Sequence, residues 1–66
     1  MDAIKFGSFV ARARKDKNMT QAELASKIKV TDKAVSRWER GLGFPDINTL
    51  EPLAEALGVS VLELMK

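Results

Sequence analysis

Residues 20–41 carry two short helical patterns with only a three-residue turn between them, and a chain built around that unit has few ways to fold. The first pattern opens at Thr20 with Glu23 three residues on. In that pairing the hydroxyl and the carboxylate satisfy two amide donors that a helix start leaves without partners. Its apolar stripe is Leu24, Ala25 and Ile28. The second pattern follows Thr31, a good N-cap, turns Val35 and Trp38 inward, and is stopped by Gly41, so it spans 32–40. Asp32, Lys33, Ser36 and Arg37 are left on its free face. A short helix braced against another, with such a face outward, suits the major groove of double-stranded DNA, as in a helix-turn-helix. The same four residues also fit the solvated side of an amphipathic helix, and spacing alone does not choose between the two.

Three more helices are predicted around this pair. The first covers about Ile4 to Lys17, with Phe6, Phe9, Val10 and Ala13 at helical spacing. Arg12, Arg14, Lys15 and Lys17 lie towards its end, where cations favour the helix dipole. Asn18 then tolerates a turn. Residues 41–45 read as a loop, and Asp46 as the cap of a fourth helix with Ile47, Leu50, Leu53, Ala54 and Leu57 inward. Pro52 inside that pattern predicts a kink or an irregular first turn. Gly58 closes the helix, and Ser60 with Glu63 forms a second capping box for a short last one. The fold class expected is all-α, five short helices in one domain over residues 1–66, without repeats or linkers.

Composition removes several functions. The 66 residues include no Cys and no His, so disulfides, thiolate metal sites and the commonest general base are absent. Glu23, Asp32 and Glu39 are carboxylates with no such group to work with, so neither an enzyme, a cofactor, a metal nor a small-molecule effector site is expected. No apolar run approaches the roughly 18 residues a membrane span needs, and no signal peptide follows Met1, so the expected location is cytoplasmic and nucleoid-associated. The charge is uneven. Residues 1–41 carry ten Lys/Arg against five Asp/Glu, and residues 42–66 one against four, giving +5 and −3. The basic half holds the paired helices, which fits a polyanion bound on one face.

The run TQAELASKIKVTDKAVSRWERG resembles the helix-turn-helix of the phage-repressor family of transcription regulators (Cro and lambda-repressor-like, or XRE). FGSFVARARKDKNMTQ is similar to that family's first helix and LEPLAEALGVSVLEL to its last two, so the resemblance covers nearly the whole chain. It implies a lambda-repressor-like domain in which Asp32, Lys33, Ser36 and Arg37 read bases. Arg37, with its planar fork, is the strongest candidate. Gln21 would bind a phosphate or support a recognition-helix side chain, and Thr20 would join it at the phosphate as a cap that brings the helix-start amides to the DNA backbone. Arg40, Gly41, Leu42 and Gly43 would lie next to flanking phosphates, their amides made accessible by glycine, although Gly41 is equally explained as a helix stop. Arg14 and Glu39 match a family ion pair between the first and third helices. Lys29 is a departure: the family often has Gly or another small residue at the turn, and if positive φ is needed Lys costs about 1 kcal/mol more.

The last segment carries more apolar residues than one stripe can bury. Val61, Leu62, Leu64 and Met65 are candidates for a homodimer contact, which relatives in this family often use; alternatively they close the monomer core or meet a further domain. The function expected is sequence-specific double-stranded DNA binding by a transcription regulator. The competing reading is a protein-interaction or antitoxin-like module on the same fold.

Overall fold

A computed structural model describes residues 2–66. It contains α1 (Ala3–Asp16), α2 (Gln21–Lys27), α3 (Asp32–Glu39), α4 (Ile47–Leu57) and α5 (Val61–Leu64), and no strand among the described residues. Each start is capped by a short polar side chain. Thr20 accepts from the Glu23 amide at 3.0 Å while Glu23 accepts from the Thr20 amide at 2.8 Å, and Ser60 and Glu63 repeat that exchange. Thr31 and Asp46 cap α3 and α4 through the amides of Ala34 and Thr49. Asp2, which the sequence reading passed over, caps α1 through Ile4 at 2.8 Å.

Helix ends depend on residues that enter the left-handed region. Gly41 (φ 76°) follows α3, and Gly58 (φ 71°) follows α4. Two non-glycine residues do the same: Asn18 (φ 57°) after α1 and Lys29 (φ 59°) after α2. The condition attached to Lys29 is therefore met, and its Cβ sits where glycine would carry no strain. Lys29 is exposed, so Lys29→Gly discards no packing. It is expected to raise stability by about 1 kcal/mol, which for a domain of this size is roughly 4–8 °C in a thermal melt. A melt that is unchanged or lowered would mean that the Lys29 side chain contributes more than its strain costs.

α4 runs as one helix from Ile47 to Leu57 across Pro52, which removes one backbone donor without ending the element. Its first turn is tight, with the Thr49 amide also 3.0 Å from the Asp46 carbonyl.

The core draws on all five helices: Phe6, Val10 and Ala13 of α1; Leu24 and Ala25 of α2, with Ile28 at its end; Val35 and Trp38 of α3; Leu53, Ala54 and Leu57 of α4; and Leu64 of α5. Two expectations are corrected. Ile47 does not turn inward but is 82% exposed at the first position of α4, while Leu50 of the same turn packs against the core. Leu64 is 2% exposed and closes the core, so it is not available to a second chain. Val61 packs against the core edge, whereas Leu62 (70% exposed) and Met65 remain at the surface. Among the described residues no helix is long and apolar enough to cross a membrane.

α3 is braced from two sides, by α1 and by α2. The α1 approach is close at Gly7. A Cβ there would penetrate the Trp38 carbonyl oxygen and lie 3.0 Å from the carbonyl carbon and oxygen of Glu39.

Candidate nucleic-acid interface

The two ends of α3 are held by different chemistry. Its first turn is capped by Thr31, and its last residue, Glu39, is tied by side chains from two other helices. Arg14 on α1 donates Nε to Glu39 Oε2 at 2.7 Å and Nη2 to Oε1 at 3.0 Å. Its remaining nitrogen, Nη1, donates to the Met19 carbonyl at 2.7 Å, in the turn between α1 and α2. Gln21, the first residue of α2, donates Nε2 to Glu39 Oε1 at 2.9 Å. The ion pair is nearly closed to water, with 11% of the Arg14 side chain and 7% of the Glu39 side chain exposed. Burial alone would push the Glu39 carboxyl up. The hydrogen bonds from Arg14 and Gln21, with the charges of Arg14 and Lys15, outweigh it and hold the carboxyl below the usual glutamate range. The bond to Glu39 in turn raises Arg14, against a smaller opposing effect of burial.

The Arg14–Glu39 pair is thus formed. Of the two roles that Gln21 was given, the structure displays the supporting one, a bond to the last residue of α3. One N–H of its amide remains for another acceptor.

The outer face of α3 carries Asp32, Lys33 and Arg37 exposed and Ser36 half-buried, opposite the buried Val35 and Trp38. This is the division the sequence predicts. Arg37 leans back towards the loop, its Nη2 at 3.5 Å from the Leu42 carbonyl, which is too long to hold the guanidinium firmly. Arg40 donates Nε to the Ser36 carbonyl at 3.3 Å. The amides of Gly41 and Leu42 donate at 3.0 Å to the carbonyls of Trp38 and Arg37. Those two amides close the helix, so the expectation that Gly41 presents an accessible amide is corrected: its donor is engaged in the helix stop. The Thr20 hydroxyl accepts from Glu23 but keeps its proton to donate. Among the described residues no group of three or more His, Cys, Asp or Glu side chains is placed to hold a metal ion.

Sequence reasoning missed Gly7 and the Met19 carbonyl. Gly7 had a signal: a glycine inside a helical pattern weakens it by about 1 kcal/mol relative to alanine, which calls for a packing reason. A backbone carbonyl that accepts from Arg14 leaves no trace in side-chain spacing.

Comparison with known proteins agrees with this geometry. Residues 10–64 match the helix-turn-helix family model. The chain is 42% identical over 59 residues to the uncharacterized HTH-type transcriptional regulator y4dJ of Sinorhizobium fredii, covering 89% of this chain and 77% of that one. It is 32% identical over 62 residues to the HTH-type transcriptional activator BcrR of Enterococcus faecalis, covering 94% of this chain but only 30% of that protein. Among solved structures it is similar to SinR, a master regulator for biofilm formation, crystallised in complex with DNA. There the TM-score is 0.85 at 35% identity, covering 92% of this chain and 98% of that one.

Proposed function

The chain belongs to the helix-turn-helix family of DNA-binding transcription regulators, and on that premise we propose that it reads a specific double-stranded DNA sequence with α3 in the major groove. The observation that carries this reading is the fixing of α3: Glu39 is bound by Arg14 and Gln21, while Asp32, Lys33, Ser36 and Arg37 stay on the open face. A helix held rigidly with polar side chains outward places them against base edges without further ordering. Arg37 is suited to guanine O6 and N7, and its weak tie to Leu42 is easily given up. Thr20, Gln21, Arg40 and Gly43 serve the flanking phosphates, and Gly41 shapes the loop that carries them. The whole chain acts as one DNA-binding domain, with no catalytic role, in the cytoplasm at the nucleoid. Two copies read an inverted repeat, meeting through the exposed Leu62 and Met65 with Val61 at the margin.

Selection of bound duplexes from a random library at about physiological salt tests this reading directly. An enriched inverted repeat, with half-sites about one helical turn apart, is expected. No enrichment would overturn the regulator reading in favour of a protein-interaction module. On the enriched site, Arg37→Ala is expected to cost about 1–3 kcal/mol and to relax the preference at one base pair. Gln21→Ala should instead weaken all sites about equally. An Arg37→Ala variant with unchanged affinity and preference would remove Arg37 from the base readers.

A further inference from the structure

Towards its C-terminal end α1 carries two cations, Arg12 and Lys15, that the helix-turn-helix leaves unused. Arg12 and Lys15 are exposed, and neither lies within 4.0 Å of a carboxylate; among the described residues the ion pair is Arg14–Glu39. Together with Ser8, Ala11, Asp16 and Glu39 they line one shallow concavity, so this side of α1 continues onto the C-terminal end of α3. Glu39 is also the carboxylate that holds Gln21, and Lys15 is close enough for its charge to act on it. Lys15 and Gln21, the side chain given to a phosphate, thus both lie near Glu39. Because Arg14 neutralises Glu39, the concavity presents Arg12 and Lys15 against the single carboxylate of Asp16. Residues three apart on a helix advance about 4.5 Å along its axis. Successive phosphates of one DNA strand advance roughly 3.4 Å along the duplex axis and lie farther apart through space, a separation that two long side chains can span by splaying.

We propose that Arg12 and Lys15 form a second backbone-binding row, which grips the DNA strand past the phosphate at Gln21 and lengthens the contact beyond the helix-turn-helix. The partner is the phosphate chain itself, so this row adds affinity and registration but reads no base. It rests on the DNA-binding reading above and names residues that neither the motif nor the resemblance assigns.

The test is a titration of the enriched duplex between about 50 and 200 mM salt, comparing wild-type protein with Arg12→Ala/Lys15→Ala. Each phosphate neutralised contributes about 0.9 to the slope of log K against log salt, so the double variant is expected to flatten that slope by roughly 1.8. The ranking of base substitutions in the site should stay as in wild type. Asp16→Asn is expected to tighten binding, and Lys66→Ala, on the far side of the chain's charge division, to leave the slope unchanged. Both alanines are good helix residues at exposed positions, and an unaltered melt confirms that the fold is intact. An unaltered slope in the double variant, with wild type binding normally, overturns this inference and leaves the DNA reading standing. Absence of salt-dependent binding by wild type overturns the DNA reading and this inference with it.

Discussion

Gly7→Ala is expected to destabilise the domain by about 3 kcal/mol, at the upper end of what one added methyl group does to a packed interior. In an exposed helix the same change is stabilising, by about 1 kcal/mol, because alanine loses less backbone entropy. The sign reverses here because of what the new Cβ meets. It would run into the Trp38 carbonyl oxygen and press on the carbonyl of Glu39, both main-chain groups of α3. A side chain can rotate away from a new neighbour; a helix backbone cannot. Relief requires α1 and α3 to separate, and the Trp38 carbonyl also accepts from the Gly41 amide that closes α3.

A domain of 66 residues has a total stability of roughly 3–10 kcal/mol, so the loss would consume a large share of it. Urea denaturation of Gly7→Ala beside Lys5→Ala, an exposed neighbour on the same helix, measures it. The Lys5 variant should stay within about 0.5 kcal/mol of wild type. Equal midpoints for the two variants would show that α1 and α3 do not meet as closely as the structure places them.

Which features were legible in the sequence follows from how local their chemistry is. Thr20 with Glu23, Thr31, Asp46, and Ser60 with Glu63 announce helix starts because a cap needs only its own next three residues, and all four are in place. The stripes Leu24, Ala25, Ile28 and Val35, Trp38 are buried as their periodicity requires. Ile47 shows the limit of the same reasoning: spacing identifies a face of α4 but not where the neighbouring elements stop covering it. Leu62 and Leu64 are two residues apart and similar in hydropathy, and only the packing of α5 decides which one is core. The fastening of α3 was least accessible. Arg14 and Glu39 are 25 positions apart, so only resemblance to a known family joined them and offered Gln21 a supporting role, while the choice of Glu39 as its partner and the Met19 bond emerged from the structure.

That cluster carries the second large effect. Arg14→Ala is expected to cost about 3 kcal/mol, the lower end of the range for breaking a buried ion pair from one side. The loss has two parts. The Met19 carbonyl loses its donor, and Glu39, with 7% of its side chain exposed, keeps its charge with only the Gln21 amide still bonded to it. Arg14→Lys should recover little, since one ammonium cannot serve both carboxylate oxygens and the Met19 carbonyl at the angles a guanidinium fork provides.

The pH dependence separates this account from a general loss of packing. In wild type the folded Glu39 carboxyl lies below its unfolded value, so its contribution is complete above the ordinary glutamate range and is lost as the pH falls through the depressed folded value. Without Arg14, burial is opposed only by Gln21 and Lys15, and the folded carboxyl titrates at higher pH than in wild type. Acidification therefore weakens wild type while it relieves the variant of a poorly compensated charge. The stability gap between them should be widest near neutral pH and narrow as the pH falls through the carboxylate range, with all other titrating groups common to both proteins. Urea midpoints at neutral pH and at about pH 4 measure that gap. A gap of constant size would mean that Arg14 acts through its packing and the Met19 bond, and that α3 is not held by the charge on Glu39.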